Sequence, residues 1–465
     1  MLLMKKKFDR SSFVKVLWNL MMPIILQNLL SAIVSTADVL MLTHVSQTAL
    51  SASSLAGQVT FVLTLFYFGL STGASVLAAQ YWGKGDTETI SRVQGLALRY
   101  SCVISFLFFL AALLMPERLM DIFTRDEKLI AYGTGYLRFV SISYLMMGIS
   151  QILLTVMKSM EQTKISAQIS AACLLSNIVM NAVSIYVLFP NEPYKALCGV
   201  ALATSLARII EVMLCRIAIK NGKGSRTAFR DMLHTDSQLR RDFVKCALPV
   251  QANYLIWGCA TAAIAAILGH ISAAVVAANS LASTLRNLVI VGCGGFGTAA
   301  SILIGKLLGQ NDFDNARWIG RRVFSGSLLL GTASGLILLL LYFPCYMLIP
   351  LEEDAATLFE GMLLINAVYC VGKSFNSSLV GGVFCSGGDT RFGLVCDALA
   401  MWCVILPLGY LSAFVWRLPP LTVYTVLCMD EFVKLPFVAL RFRQYKWIKN
   451  LTEKPEGGKT NAKTL

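Results

Sequence analysis

Twelve apolar stretches, each more than twenty residues long, recur from one end of this 465-residue chain to the other. A hydrocarbon core of ~30 Å is crossed by about 20 helical residues rising 1.5 Å each. Inside lipid the backbone must satisfy its own hydrogen bonds, so such runs fold as helices. Charged residues make up 14% of the chain, against about 25% in soluble globular proteins. The fold class is therefore an all-α polytopic membrane protein, with no room for a separate soluble domain.

The twelve spans fall at 14–43, 50–81, 93–115, 130–157, 165–189, 196–219, 243–268, 275–307, 318–348, 357–385, 392–416 and 420–440. The breaks at His44–Ala49 and His270–Ala274 are the shortest. With the N-terminus and every second loop on one face, that face carries 29 Lys and Arg and the other 5. The positive-inside rule then puts both termini in the cytoplasm of a multi-pass protein of the inner cell membrane. This alternation explains the net charge of +14, so no nucleic-acid partner is expected. The basic flank Lys5-Lys6-Lys7 precedes an apolar run too long for a cleaved signal peptide and reads as an uncleaved first span. The thirteen cysteines are scattered through apolar segments without Cys-x-x-Cys and read as packing residues.

The chain repeats itself. At an offset of 226, residues 23–86 align without a gap on 249–312 with 17 identities in 64 positions, where chance would give about 5. Pro23/Pro249, His44/His270, Gly83/Gly309 and Asp86/Asp312 are among the pairs, and Thr163-Lys164 meets Thr390-Arg391 at 227. Six spans per half is even, so the halves have one orientation and a pseudo-two-fold axis along the membrane normal. The expected organisation is an N-terminal lobe 1–220, a cytoplasmic linker 221–242, a C-terminal lobe 243–450 and a disordered tail 451–465. Two such bundles enclose a cleft suited to alternating access by a monomer.

Asp38 is the one acid of the first span, and intramembrane acids usually serve a function or a partner. Ser35, Thr36 and Thr43 give its helix a polar side, which suggests a wall facing a cavity. Asn177 and Asn181, at i,i+4 in the fifth span, share its depth and could hold a cation or a protonated Asp38. In the second half Lys373, Asp397, Asp430 and Glu431, with Lys434, interrupt apolar spans. They read either as a structural ion pair or as a second substrate- or proton-handling site. Arg208 and Glu211 look like a local pair, while Arg99, Arg138 and Arg286 have no evident partner. The run Gly292–Gly297 lacks a preceding strand and a Lys-Ser/Thr end, so it reads as close helix contact or bending. Pro23, Pro249 and Pro407 are kink candidates. No ATP site, catalytic triad or metal cluster is legible, and neither an enzyme nor an organic cofactor is expected.

These residues resemble the multidrug and toxic compound extrusion (MATE) family over nearly the whole chain. The resemblance is carried by Leu20-Met21-Met22-Pro23-Ile24, the Asp38 segment, Ala78-Ala79-Gln80-Tyr81-Trp82-Gly83 and Asn177-Ile178-Val179-Met180-Asn181. In the second half it rests on residues 383–390, Cys396-Asp397, Pro407-Leu408-Gly409 and Asp430–Pro436, and it is similar to a bacterial, Firmicute-type subgroup. It implies an exporter exchanging H⁺ or Na⁺ for small organic, often cationic and amphipathic, substrates. It also implies a cation site, a candidate Na⁺ site, at Asp38 and Asn177. Family members often place Asp where this chain has Asn181, and another branch uses a Glu in the seventh span, whereas Pro249–Gly269 holds no acid. Lys373 and the Asp430-Glu431 pair stand as a substitute. The alternative reading is a lipid-linked or polysaccharide flippase of related architecture. A receptor or sensor is disfavoured because no extramembrane domain is present to pass on a signal.

Overall fold

A computed structural model describes residues 10–222, 225, 236–341 and 353–453, and among these there are helices and no strand. The spans are α1 (Arg10–Val45), α2 (Gln47–Lys84), α3 (Thr87–Leu114), α4 (Glu127–Ser159), α5 (Thr163–Leu188) and α6 (Pro193–Lys220). They continue as α7 (Ser237–Gly269), α8 (Ala273–Gly309), α9 (Phe313–Leu340), α10 (Glu353–Asn376, with wider π-type turns over Ser377–Phe384) and α11 (Thr390–Val415). A short helix, Pro116–Asp121, joins α3 to α4.

Eleven described helices are long and apolar enough to cross a membrane. The twelfth, α12, is in two pieces, Pro420–Leu427 and Asp430–Arg443, interrupted at Cys428-Met429. The second piece opens on Asp430 and Glu431, so its hydropathy is low where its site chemistry is concentrated. Helices α7 and α9 start several residues before the expected 243 and 318, because helix continues beyond the apolar run. Residues 342–352 of the ninth connection, most of the linker 221–242 and 454–465 of the tail lie outside the described residues.

The duplication is written into the helix ends. Ser46 is extended (φ −172°) and its hydroxyl accepts the Ala49 N–H, while Ser272 (φ −167°) accepts that of Val275. Each such N-cap stabilises its helix by ~1 kcal/mol, which is how a one-residue break can divide two spans. Asp86 and Asp312 cap α3 and α9 in the same way. The left-handed turn at Gly85 (φ 80°) recurs at Asn311 (59°), and that at Glu161 (63°) recurs at Gly388 (74°). Glycine makes each turn without strain in one half only, and in the other a side chain is carried there instead.

Packing crosses between the halves. The start of α1 (Leu17, Leu20, Met21, Ile24) lies in the core formed by α8, α9 and α10, whereas Leu42 near its end packs with Ala49, Ala52, Ile185 and Leu197. Helix α7 does the converse, with Leu239, Phe243 and Ala247 in the core of α2, α3 and α4, and Ile267 and Leu268 among α8, α10 and α12. Thus α1 and α7 each run diagonally from one half to the other. Leu26, Leu107, Leu114, Leu329 and Leu340 stand exposed on the outer surface, where bilayer tails replace protein contacts.

Candidate ion and substrate sites

Three helices bring the first-half residues together. Asn181 Nδ2 donates to Asp38 Oδ1 at 2.8 Å and to Asn177 Oδ1 at 3.3 Å, and Asn177 Nδ2 donates to Thr204 Oγ1 at 3.3 Å. Asp38 comes from α1, both asparagines from α5 and Thr204 from α6. Asn177 and Asn181 are buried, and the Asn181 carbonyl oxygen has no hydrogen-bond partner. The site therefore offers one carboxylate, amide oxygens and a hydroxyl, a hard-oxygen set with a single negative charge. A proton or a monovalent cation matches that charge, and among the described residues no group of three His, Cys, Asp or Glu could hold a more highly charged ion. Ser35, Thr36 and Thr43 share the Asp38 segment of α1. The Thr36 and Thr43 hydroxyls donate to the Ala32 and Leu40 carbonyls of their own helix, and the three residues are exposed.

The second-half residues also converge. Lys373 Nζ lies 2.9 Å from Glu431 Oε1, and Lys434 Nζ lies 3.0 Å from Glu431, 2.8 Å from Asp397 and 3.6 Å from Asp430. Two ammonium groups thus face three carboxylates. Asn376 donates to Glu431 Oε2 at 2.8 Å, and Asn253 donates to Asp397 Oδ2 at 2.8 Å. Arg286, without a partner in sequence, donates to Asn366 Oδ1 at 2.9 Å and lies 5.0 Å over the Tyr369 ring. The Arg208–Glu211 pair forms at 2.8 Å.

One of these contacts has a counterpart. Gln27 donates to Ser170 Oγ at 2.7 Å in the first half, and the same two positions, shifted by 226 and 227, are Asn253 and Asp397. The second half has put a carboxylate where the first has a hydroxyl. The first half has put Asp38 where the second has Ile264. The scaffold is shared and the charges sit at different depths. Applying the repeat offset to polar residues alone would have found the Gln27–Ser170 pair.

Helices α2 and α8 cross on the face that carries the basic loops. A Cβ added at Gly83 would run into the Lys306 carbonyl, and one at Gly309 into the Gln80 carbonyl, the symmetry-related contact. From this crossing Lys306 Nζ reaches Glu161 at 2.7 Å, and Gln80 Nε2 donates to the Ser386 carbonyl at 2.7 Å. Gln80 Oε1 also accepts the Leu451 N–H at 2.7 Å, so the chain after α12 closes over the same point. Sequence reading missed this closure because its partners lie more than 140 residues apart. Lys306 and Glu161 are more than a quarter exposed, so their pairing contributes only ~0.2–1 kcal/mol. The glycine contacts matter more. Gly309→Val should lower the thermal midpoint in detergent by the equivalent of ~1–3 kcal/mol, because backbone cannot yield as a side-chain end can. An unchanged midpoint would show that the crossing is loose.

Above this closure lies a cavity of about 280 Å³ between the halves, lined by α1, α2, α4, α7, α8 and α10. A second, apolar groove of about 710 Å³ runs between α1 and α5, from Trp18 to Leu30, with Lys164 as the one charged residue of its lining.

Duplicated six-helix halves, a cavity between them and buried polar sites within the bundles define a two-lobed membrane transporter rather than an enzyme. The MatE family profile matches residues 23–183 and 249–411, the two copies of the repeat. The chain belongs to the MATE family of transporters. It is 24% identical over 442 residues to the uncharacterized transporter YisQ of Bacillus subtilis, covering 93% of this chain and 94% of that one. It is 26% identical over 435 residues to the probable multidrug resistance protein NorM of Bradyrhizobium diazoefficiens, covering 91% and 92%. The fold matches the Vibrio cholerae MATE transporter VcmN with TM-score 0.84 at 16% identity, over 94% of this chain and 99% of that one. A MOP superfamily transporter from Pyrococcus furiosus, described by the reverse polarity of its binding pocket, matches at 0.83 and 16%, over 93% and 95%.

Proposed function

We propose that this protein is a secondary active exporter that exchanges H⁺ or Na⁺ for small organic compounds by alternating access. The observation that carries the reading is the Asp38–Asn181–Asn177 group, in which a lone carboxylate meets a buried amide oxygen with no partner. The multidrug resistance names of the relatives support efflux as the direction. The basic face, with both termini, is cytoplasmic in this reading, and the closure at Gly83 and Gly309 keeps the cavity from the cytoplasm. A single chain suffices, since its two halves supply both walls of the cavity.

Ion binding at Asp38 acts at the end of α1 that packs in the first half, while the start of α1 is anchored in the second. A shift of α1 at one end therefore strains its packing at the other. Such coupling is a difference in ion affinity between two states of the bundle. The second-half cluster, with its cations paired to acids, supports that half structurally in this reading. The test is dye efflux from proteoliposomes with H⁺ and Na⁺ gradients imposed separately. One gradient should accelerate efflux well above the protein-free rate; acceleration by neither would reject antiport.

Flipping of lipid-linked molecules is the second reading, favoured by the apolar groove between α1 and α5 with Lys164 in its lining. Gradient-independent scrambling of a labelled anionic lipid would favour it.

A further inference from the structure

The geometry points to the cavity between the halves as a site for an amphipathic organic anion, a carboxylate, phosphate or sulfonate on an aromatic or apolar body, with Lys158 as its anchor. This inference rests on the transport reading above and assigns its substrate class.

Lys158 is the single charged residue among those lining the cavity. It sits in the last turn of α4, where loop residues were expected from sequence, and it is partly accessible. It makes no ion pair within 4 Å among the described residues. The acids deep in the spans have direct partners elsewhere, although the buried Glu211 carboxylate also acts on Lys158 through space. Glu211 pairs with Arg208, Asp397 and Asp430 with Lys434, and Glu431 with Lys373 and Lys434. Asp38 is held by Asn181 within the first half, and none of these five lines the cavity.

The remaining lining fits the rest of such a molecule. Ser71, Gln151 and Thr155 supply neutral hydrogen-bonding groups near Lys158, while Phe68 and Tyr254 face each other across the two halves at 5.0 Å. The volume of about 280 Å³ lies near the lower end of small-molecule sites, ~300–1,000 Å³. A cationic substrate would meet an ammonium group and no carboxylate. An anion would gain a charge-assisted hydrogen bond in a partly desolvated place, where such bonds are strong.

Two xanthene dyes of opposite charge separate the possibilities. The full-length protein in nanodiscs would be titrated with fluorescein and with rhodamine 123, following fluorescence polarisation without any ion gradient. Fluorescein should bind more tightly. Lys158→Gln should weaken fluorescein binding by about tenfold or more, and Lys158→Arg should restore it. Lys158→Glu should move the preference towards rhodamine 123, with melting curves confirming that each variant is folded. Preference of the wild type for rhodamine 123, binding of neither dye, or unchanged fluorescein binding in Lys158→Gln would overturn the assignment. Fluorescein binding without gradient-driven efflux would reject antiport and leave the anion site standing. Gradient-driven rhodamine 123 efflux that ignores Lys158→Gln would do the reverse.

Discussion

Asp38→Asn should reduce gradient-driven efflux to the rate of protein-free liposomes while leaving the protein folded. The substituted amide is nearly the same size, and it can still meet the Asn181 side chain that now donates to Asp38 at 2.8 Å. Stability should therefore change by no more than ~1 kcal/mol, the common size for a mild substitution. The loss of charge is a different matter. To move a two-state bundle from 1:99 to 99:1, an ion must bind one state ~10⁴-fold more tightly than the other. Asp38 is the one formal negative charge of the group formed with Asn177 and Asn181, so neutral oxygens alone cannot supply that difference. Downhill exchange of substrate can persist, since the cavity itself is unchanged. Full gradient-driven transport by the variant would remove Asp38 from the mechanism.

Lys434→Met should be the more damaging change to stability, at ~3–5 kcal/mol. The lysine side chain is 7% exposed and is shared among Asp397, Asp430 and Glu431. Without it Glu431 keeps Lys373 at 2.9 Å and the partly exposed Asp397 keeps the Asn253 amide, but the buried Asp430 loses its cation in a place where water cannot replace it. Methionine fills the volume and leaves the charges uncompensated, so the loss is electrostatic rather than a packing defect. A thiol-reactive dye would follow unfolding in detergent, because Cys246, Cys293, Cys370, Cys385 and Cys428 are buried in the folded chain. A midpoint close to that of the wild type, together with lost transport, would show that the cluster works in the transport cycle and is not chiefly structural.

The sequence resolved a good deal of this protein through periodicity alone. Apolar runs must become helices in lipid, an even count with basic loops sets a topology, and an offset of 226 requires two equivalent bundles. The short breaks at His44–Ala49 and His270–Ala274 were placed by the length of the apolar runs, and the serine caps that make them, Ser46 and Ser272, emerged with the structure. Charged and amide side chains in apolar runs marked Asp38, Asn177 and Asn181, and the acids and lysines of the second half, as groups that had to find each other. The split of α12 was not legible, since Asp430 and Glu431 both end its apolar pattern and begin its helical second piece.

Tertiary structure decided which of those groups meet and what lies between them. Asn181 reaches Asp38 across 143 positions of chain, and Asn253 reaches Asp397 across 144, distances over which no local pattern carries information. The diagonal courses of α1 and α7, anchored in opposite halves, follow from long-range packing of apolar faces that hydropathy treats as interchangeable. Lys158 is the clearest case. In sequence it is one more basic residue at a loop, as the positive-inside rule requires, and only the approach of α2, α4 and α8 turns it inward as the lone charge of a cavity. Composition fixes how many charges a membrane protein must accommodate; the fold determines which of them are paired with one another and which remain to meet a ligand.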